Sequence, residues 1–289
     1  MTSYDRTVED LGNIVTLEHV NTRIPDQQLA TLFYVAGLGL TRDPYLMTSV
    51  GNMWVNVGRS QFHLPTGQAQ VVRGHTGLVI PKREALLRRL GAVQKPLEGT
   101  RFAFAEHNDY VEATCPWGNR IHCYEPGERF GAMMLGMPYV ELEVPRGTLE
   151  GIARFYREMV GTKADVAEDA RGRHARASVG AGQHLVFRET DGARPDFDGH
   201  HVAIYLADFS GPYRRLLAKG LITEESDQHQ YRFEDIVDLE SGKVLFSIEH
   251  EVRSMRHPLY ARPLVNRNPE QTNRLFAPGH EELSWSMSI

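Results

Sequence analysis

The sequence predicts an α+β fold built from four repeated βαβββ units, and three observations predict it. Segments recur along the chain at a nearly constant offset. Short stretches alternate apolar and polar residues, the pattern of sheets with one buried face. Strand-like openings run on into a single helix, and in the first and third units that helix ends at glycine. A chain of 289 residues and 32.7 kDa is long enough for one large core or for two modules.

The elements follow in order from the repeat. HVNTRIPDQQLATLFYVAGLGL from His19 matches YVELEVPRGTLEGIARFYREMVGTK from Tyr139. Each opens with a strand-like stretch ending in Pro25 or Pro145. Each continues with apolar residues at helical spacing: Leu29, Leu32 and Phe33, or Ile152, Phe155, Tyr156 and Met159. Each helix stops at Gly37 or Gly161. VGRSQFHLPTG from Val57 pairs with VGAGQHLVFRE from Val179. HTGLVIPKREALLRRLGA from His75 pairs with HVAIYLADFSGPYRRLLAKG from His201, and GNRIHCYEP from Gly118 with GKVLFSIEH from Gly242. The offsets are 120, 122, 126 and 124 residues, the mark of a duplication. Each half divides again, which gives units near residues 15–66, 74–126, 138–190 and 200–250. The expected domains are residues 1–130, residues 131–252, and an extended proline-bearing tail over 253–289.

Composition narrows the function. With 32 basic against 37 acidic residues and a net charge of −5, the chain lacks the basic footprint of a nucleic-acid binder. No apolar run approaches the ~18 residues of a membrane span, and MTSYDRTVEDLGN has no signal-peptide stretch. Two cysteines, Cys115 and Cys123, read as reduced thiols in a cytoplasmic protein. The glycines are scattered at turns and form no phosphate-cradling loop. The expected partner is a small-molecule substrate, with no nucleic acid and no membrane. What stands out is 13 histidines, several inside strand-like stretches.

Paired βαβββ units, with His opening a strand and a PWGNRI turn before the last strand, resemble the vicinal oxygen chelate superfamily. That group includes glyoxalase I, methylmalonyl-CoA epimerase, fosfomycin-resistance proteins and extradiol dioxygenases. The resemblance covers about residues 15–250. It implies that pairs of units curl into half-barrels with metal ligands on the first and last strands of each unit. It also makes both a monomer and a homodimer feasible, since the duplication supplies in one chain what shorter relatives obtain by dimerising. Mapped onto this chain, the first-strand positions of the N-terminal half are His19 (LEHVN) and His75 (RGHTG). The last-strand positions, where the superfamily often has Glu, are His63 (QFHLP) and His122 (RIHCY). The C-terminal equivalents are Tyr139, Leu185, His201 and Phe246, a poor donor set. The expected site is therefore a four-histidine centre of the N-terminal half.

Four neutral imidazoles imply a divalent transition metal that keeps its full charge and two adjacent open positions. Fe(II) is favoured and Zn, Ni, Co or Cu is compatible; all-nitrogen ligation argues against Mg²⁺ and Ca²⁺. The preferred reading is a dioxygenase-like oxidoreductase acting on a small oxygenated or aromatic substrate. One alternative is a redox-neutral glyoxalase-like lyase or epimerase using the metal as Lewis acid; another is a non-catalytic small-molecule binding protein. The lyase reading needs a base, which alternation does not supply. Leu17, Asn21 and Arg23 share the His19 face, whereas Glu18 should point the other way. Asn21 is expected beside the ligands and Arg23 is the catalytic candidate, pairing with a substrate carboxylate. Glu106 and Glu112 are the remaining carboxylate candidates, and Glu125 reads as structural. His200 and His201 should point to opposite faces. Arg253, Arg256, Arg262 and Arg267 make the tail basic, suited to tying the halves together or contacting a second subunit.

Overall fold

Apolar alternation and the glycine and proline stops produce all four expected repeats. The computed structural model describes residues 4–46 and 51–269. The first repeat holds β1 (Ile14–Asn21), α1 (Gln27–Ala30) continued by a π-helical stretch (Thr31–Gly37), β2 (Thr41–Arg42), β3 (Asn52–Val57) and β4 (Ser60–Pro65). The second holds β5 (Gly74–Val79), α2 (Arg83–Val93), β6 (Ala103–Glu106), β7 (Tyr110–Thr114) and β8 (Arg120–Tyr124). The third holds β9 (Gly136–Pro145), α3 (Leu149–Phe155) with a π-helical extension (Tyr156–Val160), β10 (Ala164–Asp169), β11 (Gly172–Gly180) and β12 (Gln183–Thr190). The fourth holds β13 (His201–Leu206), α4 (Ser210–Ala218), β14 (Ile222–Asp227), β15 (Gln230–Val237) and β16 (Val244–Ser254). Asp26 caps α1 by accepting from the Gln28 and Leu29 N–H groups, and Gly161 ends the third repeat's helix at φ 84°. No described helix is long and apolar enough to cross a membrane.

The strands form two eight-stranded sheets, ordered β14-β15-β16-β13-β1-β4-β3-β2 and β10-β11-β12-β9-β5-β8-β7-β6. Within each repeat this order leaves the first strand at one edge. An unpaired edge offers a row of free N–H and C=O groups that another strand can cover. Sequence likeness relates the first repeat to the third and the second to the fourth. Strand pairing joins the first to the fourth and the second to the third. The strands thus do not pair along the expected division into 1–130 and 131–252. The reason is physical: likeness records ancestry, whereas pairing depends on which open edge meets which.

By compactness the chain divides into two bodies. One comprises Met1–Leu17, Glu143–Ala193 and Ala203–Tyr260. Its core gathers aromatic rings under α3. Phe155 and Phe233 lie 5.9 Å apart, Tyr156 and Phe187 5.5 Å apart, and the His250 ring stacks on Phe233 at 4.2 Å. Alternation along β15 and β16 puts charges on the opposite face, where Arg232 pairs with Glu249 and Glu251, and Glu251 with Arg253. β16 runs to Ser254, four residues past the expected end of its repeat.

The other body comprises Glu18–Leu142, Arg194–Val202 and Ala261–Ile289. Here β1 runs parallel to β4 with His19 opposite Gln61 and Asn21 opposite His63. The alternate residues Val20, Phe62 and Leu64 are buried, with Phe62 against Tyr34 of the first helix. The stretch from Ala261 straps across β2–β4. The Asn266 side chain exchanges two hydrogen bonds with the Gly58 backbone, Asn56 donates to the Val265 carbonyl, and the Arg267 N–H reaches Thr41 Oγ1. Gly58 stands at φ +65° with no room for a side chain, since a Cβ would sit 2.1 Å from the Leu135 carbonyl oxygen. The rest of the expected tail, 270–289, lies outside the described residues. Cys115 and Cys123 are free and buried, and burial pushes the Cys123 thiol up to about 12, leaving it protonated and inert.

Candidate metal centre

Because His19 and His63 sit on adjacent strands with the same facing, their side chains emerge together. The third member of the group is His201, the first residue of β13. One ring nitrogen from each of His19, His63 and His201 lies within 4.8 Å of the others. His19 Nε2 is 3.4 Å from His201 Nε2, and the His19 and His63 rings meet edge-on at 5.3 Å. Trp54, paired with His63 across β3 and β4, stacks on it at 3.8 Å and 10°.

Neighbouring polar groups orient these rings. Glu18 Oε2 lies 2.7 Å from His19 Nδ1, both buried. That carboxylate accepts the Nδ1 proton and leaves the Nε2 lone pair facing His201, as in a carboxylate–histidine–metal arrangement. Two imidazole nitrogens at 3.4 Å need a proton or a cation between them, so the donor set fits a divalent transition metal. Alternation sets where the Cα–Cβ bond of Glu18 points, away from His19, but not where a flexible carboxylate ends. His63 is held on both sides, Nδ1 at 2.7 Å from Asn21 Nδ2 and Nε2 at 2.8 Å from Asn52 Oδ1. Ligation by His63 would exchange one of these bonds for the ion.

The other two expected ligands do not join the triad. His75 on β5 and His122 on β8 stack face to face at 3.8 Å and 29° in the second sheet. A metal sits in the plane of each ligating ring, and face-stacked imidazoles present their lone pairs side by side instead of converging. Each has its own partners. His122 Nε2 is 3.0 Å from Glu112 Oε2, and His75 Nε2 is 3.1 Å from the Tyr139 hydroxyl, itself 2.9 Å from that of Tyr124. Burial, reinforced by Tyr124, raises the Tyr139 hydroxyl far above its ordinary pKa and keeps it protonated. Gly77 makes room for this ring, since a Cβ there would lie 2.3 Å from Tyr139. Gly77→Ala is expected to destabilise the protein by about 1–3 kcal/mol through overpacking; urea unfolding at wild-type stability would show that the ring moves freely aside.

Arg23 is exposed beyond the end of β1, with its backbone fixed by Gln70 and its stem along Gly67. Glu106 is an exposed partner of Arg83, whose backbone N–H donates to Glu125. His200 turns away from His201, as alternation requires, and bonds Asp198 through Nδ1 at 2.6 Å.

No family profile and no curated protein matches the chain. Solved structures do. A "putative dioxygenase" from Bacillus subtilis aligns at 17% identity over 84% of this chain and 86% of its own, with a TM-score of 0.54. Glyoxalase I from Zea mays aligns at 13% identity over 83% and 92%, with a TM-score of 0.55. The chain has the vicinal oxygen chelate fold. Within the vicinal oxygen chelate fold, His19 and His63 stand at first- and last-strand positions, as the resemblance implies. His201 stands at the first-strand position of the fourth repeat, which shares a sheet with the first. From sequence alone His201 is not expected as a ligand, because Leu185 and Phe246 of its own half carry no donor; its neighbours His19 and His63 belong to the other half. Sequence alone does not single out Trp54 and Asn52 either. The signal for them was their register opposite His63 and Pro65.

Proposed function

We propose that the chain is a metal-dependent enzyme that acts on a small oxygen-bearing substrate through His19, His63 and His201, as a dioxygenase-like oxidoreductase. The observation that carries this reading is the convergence of three ring nitrogens within 4.8 Å on rigid strands. A divalent ion held there would supply Lewis acidity and adjacent open positions for a chelating substrate or for a substrate and O₂. His19, fixed by Glu18, and His63, clamped by asparagines, would orient it, and Trp54 would shield one side from water. No carboxylate belongs to the triad, which favours oxygen chemistry over the proton transfers of an enediolate mechanism. Fe(II) is the preferred metal.

The test is elemental analysis of the purified, untagged protein, followed by O₂-uptake assays on a panel of small oxygenated and aromatic substrates. Near-stoichiometric iron with substrate-dependent O₂ consumption is the expected result. Near-stoichiometric zinc, nickel or cobalt, with turnover that survives anaerobic conditions, would replace this reading with a redox-neutral lyase or isomerase. No metal in the purified protein, and none taken up on soaking, would overturn the centre itself.

A further inference from the structure

The strap that crosses β2–β4 brings a cation to the histidine face. Arg262 Nη2 donates to Asp43 Oδ2 at 2.8 Å and to Gln61 Oε1 at 3.2 Å. Asp43 is fully buried, and the Arg262 side chain is 16% exposed. Burial pushes the Asp43 carboxyl up, but Arg262 and the Leu46 and Tyr45 N–H groups outweigh it and hold it below the usual carboxylate range. That environment favours the charged form of the Asp43 carboxyl. Yet among the described residues nothing accepts from Nε or Nη1 of Arg262, although both atoms are buried. Donors in such a position are ordinarily satisfied, and those left over call for an explanation.

Register places these donors. Gln61 is the Cα partner of His19 in the parallel ladder and lies two residues before His63 on β4, so it shares the face of both. Its amide is held at 2.6 Å by Asn56 and 3.1 Å by Asp43, which leaves its carbonyl for Arg262. The guanidinium is thus anchored by one nitrogen to Gln61, the residue that neighbours His19 in the ladder, with hydrogen-bonding capacity left on the other two nitrogens.

We propose that Arg262 receives a carboxylate of the substrate bound at His19, His63 and His201. The inference rests on the metal reading for the site as a whole, but the anion contact stands without it. The substrate class is a small acid whose oxygen donors meet the metal while its carboxylate meets Arg262. This assigns to the strap the task that sequence alone gave to Arg23.

Calorimetric titration of salicylate and of salicyl alcohol, which differ in the carboxylate, into the full-length protein with and without zinc tests the assignment. The wild type is expected to bind salicylate about tenfold more tightly than the alcohol. Arg262→Lys keeps a charge for Asp43 but loses the planar fork. It is expected to remove the preference and leave zinc content unchanged. The double variant Asp43→Asn/Arg262→Gln removes both charges together and guards against a folding defect from an orphaned carboxylate. A preference intact in both variants, or absent from the wild type, overturns the proposal. Zinc retained with an Arg262-independent preference sinks this inference alone. No zinc bound, but an Arg262-dependent preference, sinks the metal reading alone.

Discussion

His201→Ala is expected to lower metal affinity by more than about a hundredfold. Loss even of a group that merely orients a ligand costs 10–100-fold, and loss of a ligand should exceed it. His19→Ala should match it. His75→Ala and His122→Ala should leave metal content unchanged, because those rings belong to the Tyr139 and Glu112 network. Chelator competition followed by elemental analysis of the four variants reads this directly. Parallel loss in all four would restore the single four-histidine centre, and loss confined to His19 and His201 supports the triad. Glu18→Gln should give an intermediate result, since the amide oxygen still accepts from His19 Nδ1 without the charge.

The second large effect is acid sensitivity. His250 is fully buried between Phe233 and Tyr156; its Nδ1–H donates to the Ile248 carbonyl and its Nε2 lies 2.6 Å from the Tyr156 hydroxyl. Burial is the main cause of a pKa pushed down from 6.5 to about 4. In the unfolded chain the imidazole takes up a proton below about pH 6.5, whereas the folded ring does so only near pH 4. Stability is thus full above pH 6.5 and falls as the pH drops, by about 3 kcal/mol in all by pH 4. Urea unfolding at pH 7 and pH 4.5 should show most of this loss. A His250→Phe/Tyr156→Phe double variant keeps the ring stack without an orphaned hydroxyl, and should flatten the dependence. The same slope in the variant would place the acid sensitivity elsewhere. His184, depressed to about 4 by burial and Arg176, acts in the same direction.

Repeats, strand facing and the positions of His19 and His63 were legible in the sequence because each is local. Alternation, turn residues and helix stops act within a few residues, and the duplication made them readable twice. What was not legible was which repeat meets which. That choice lies in the complementarity of edge strands far apart in the chain, and it decides whether His201 faces His19 or an inert Leu185 and Phe246. The Glu18 carboxylate departs from the expected facing for another reason: strand period governs Cβ, and a side chain with a further methylene before its carboxylate can turn back. Arg262 was visible as one of several tail arginines, but nothing in composition distinguishes a buried guanidinium with spare donors from a solvated one.

The joining of the first repeat to the fourth also sets an order of events during synthesis. His19 and His201 are 182 residues apart, so a chain emerging from the ribosome shows His19 and His63 long before their third partner exists. Until β13 arrives, β1 keeps a bare edge exposed to other nascent strands. Contacts of such long sequence separation close slowly. On the proposed reading a metal would load only once β13 is made, and a fragment ending at residue 130, however well it folds, would carry two of the three triad histidines.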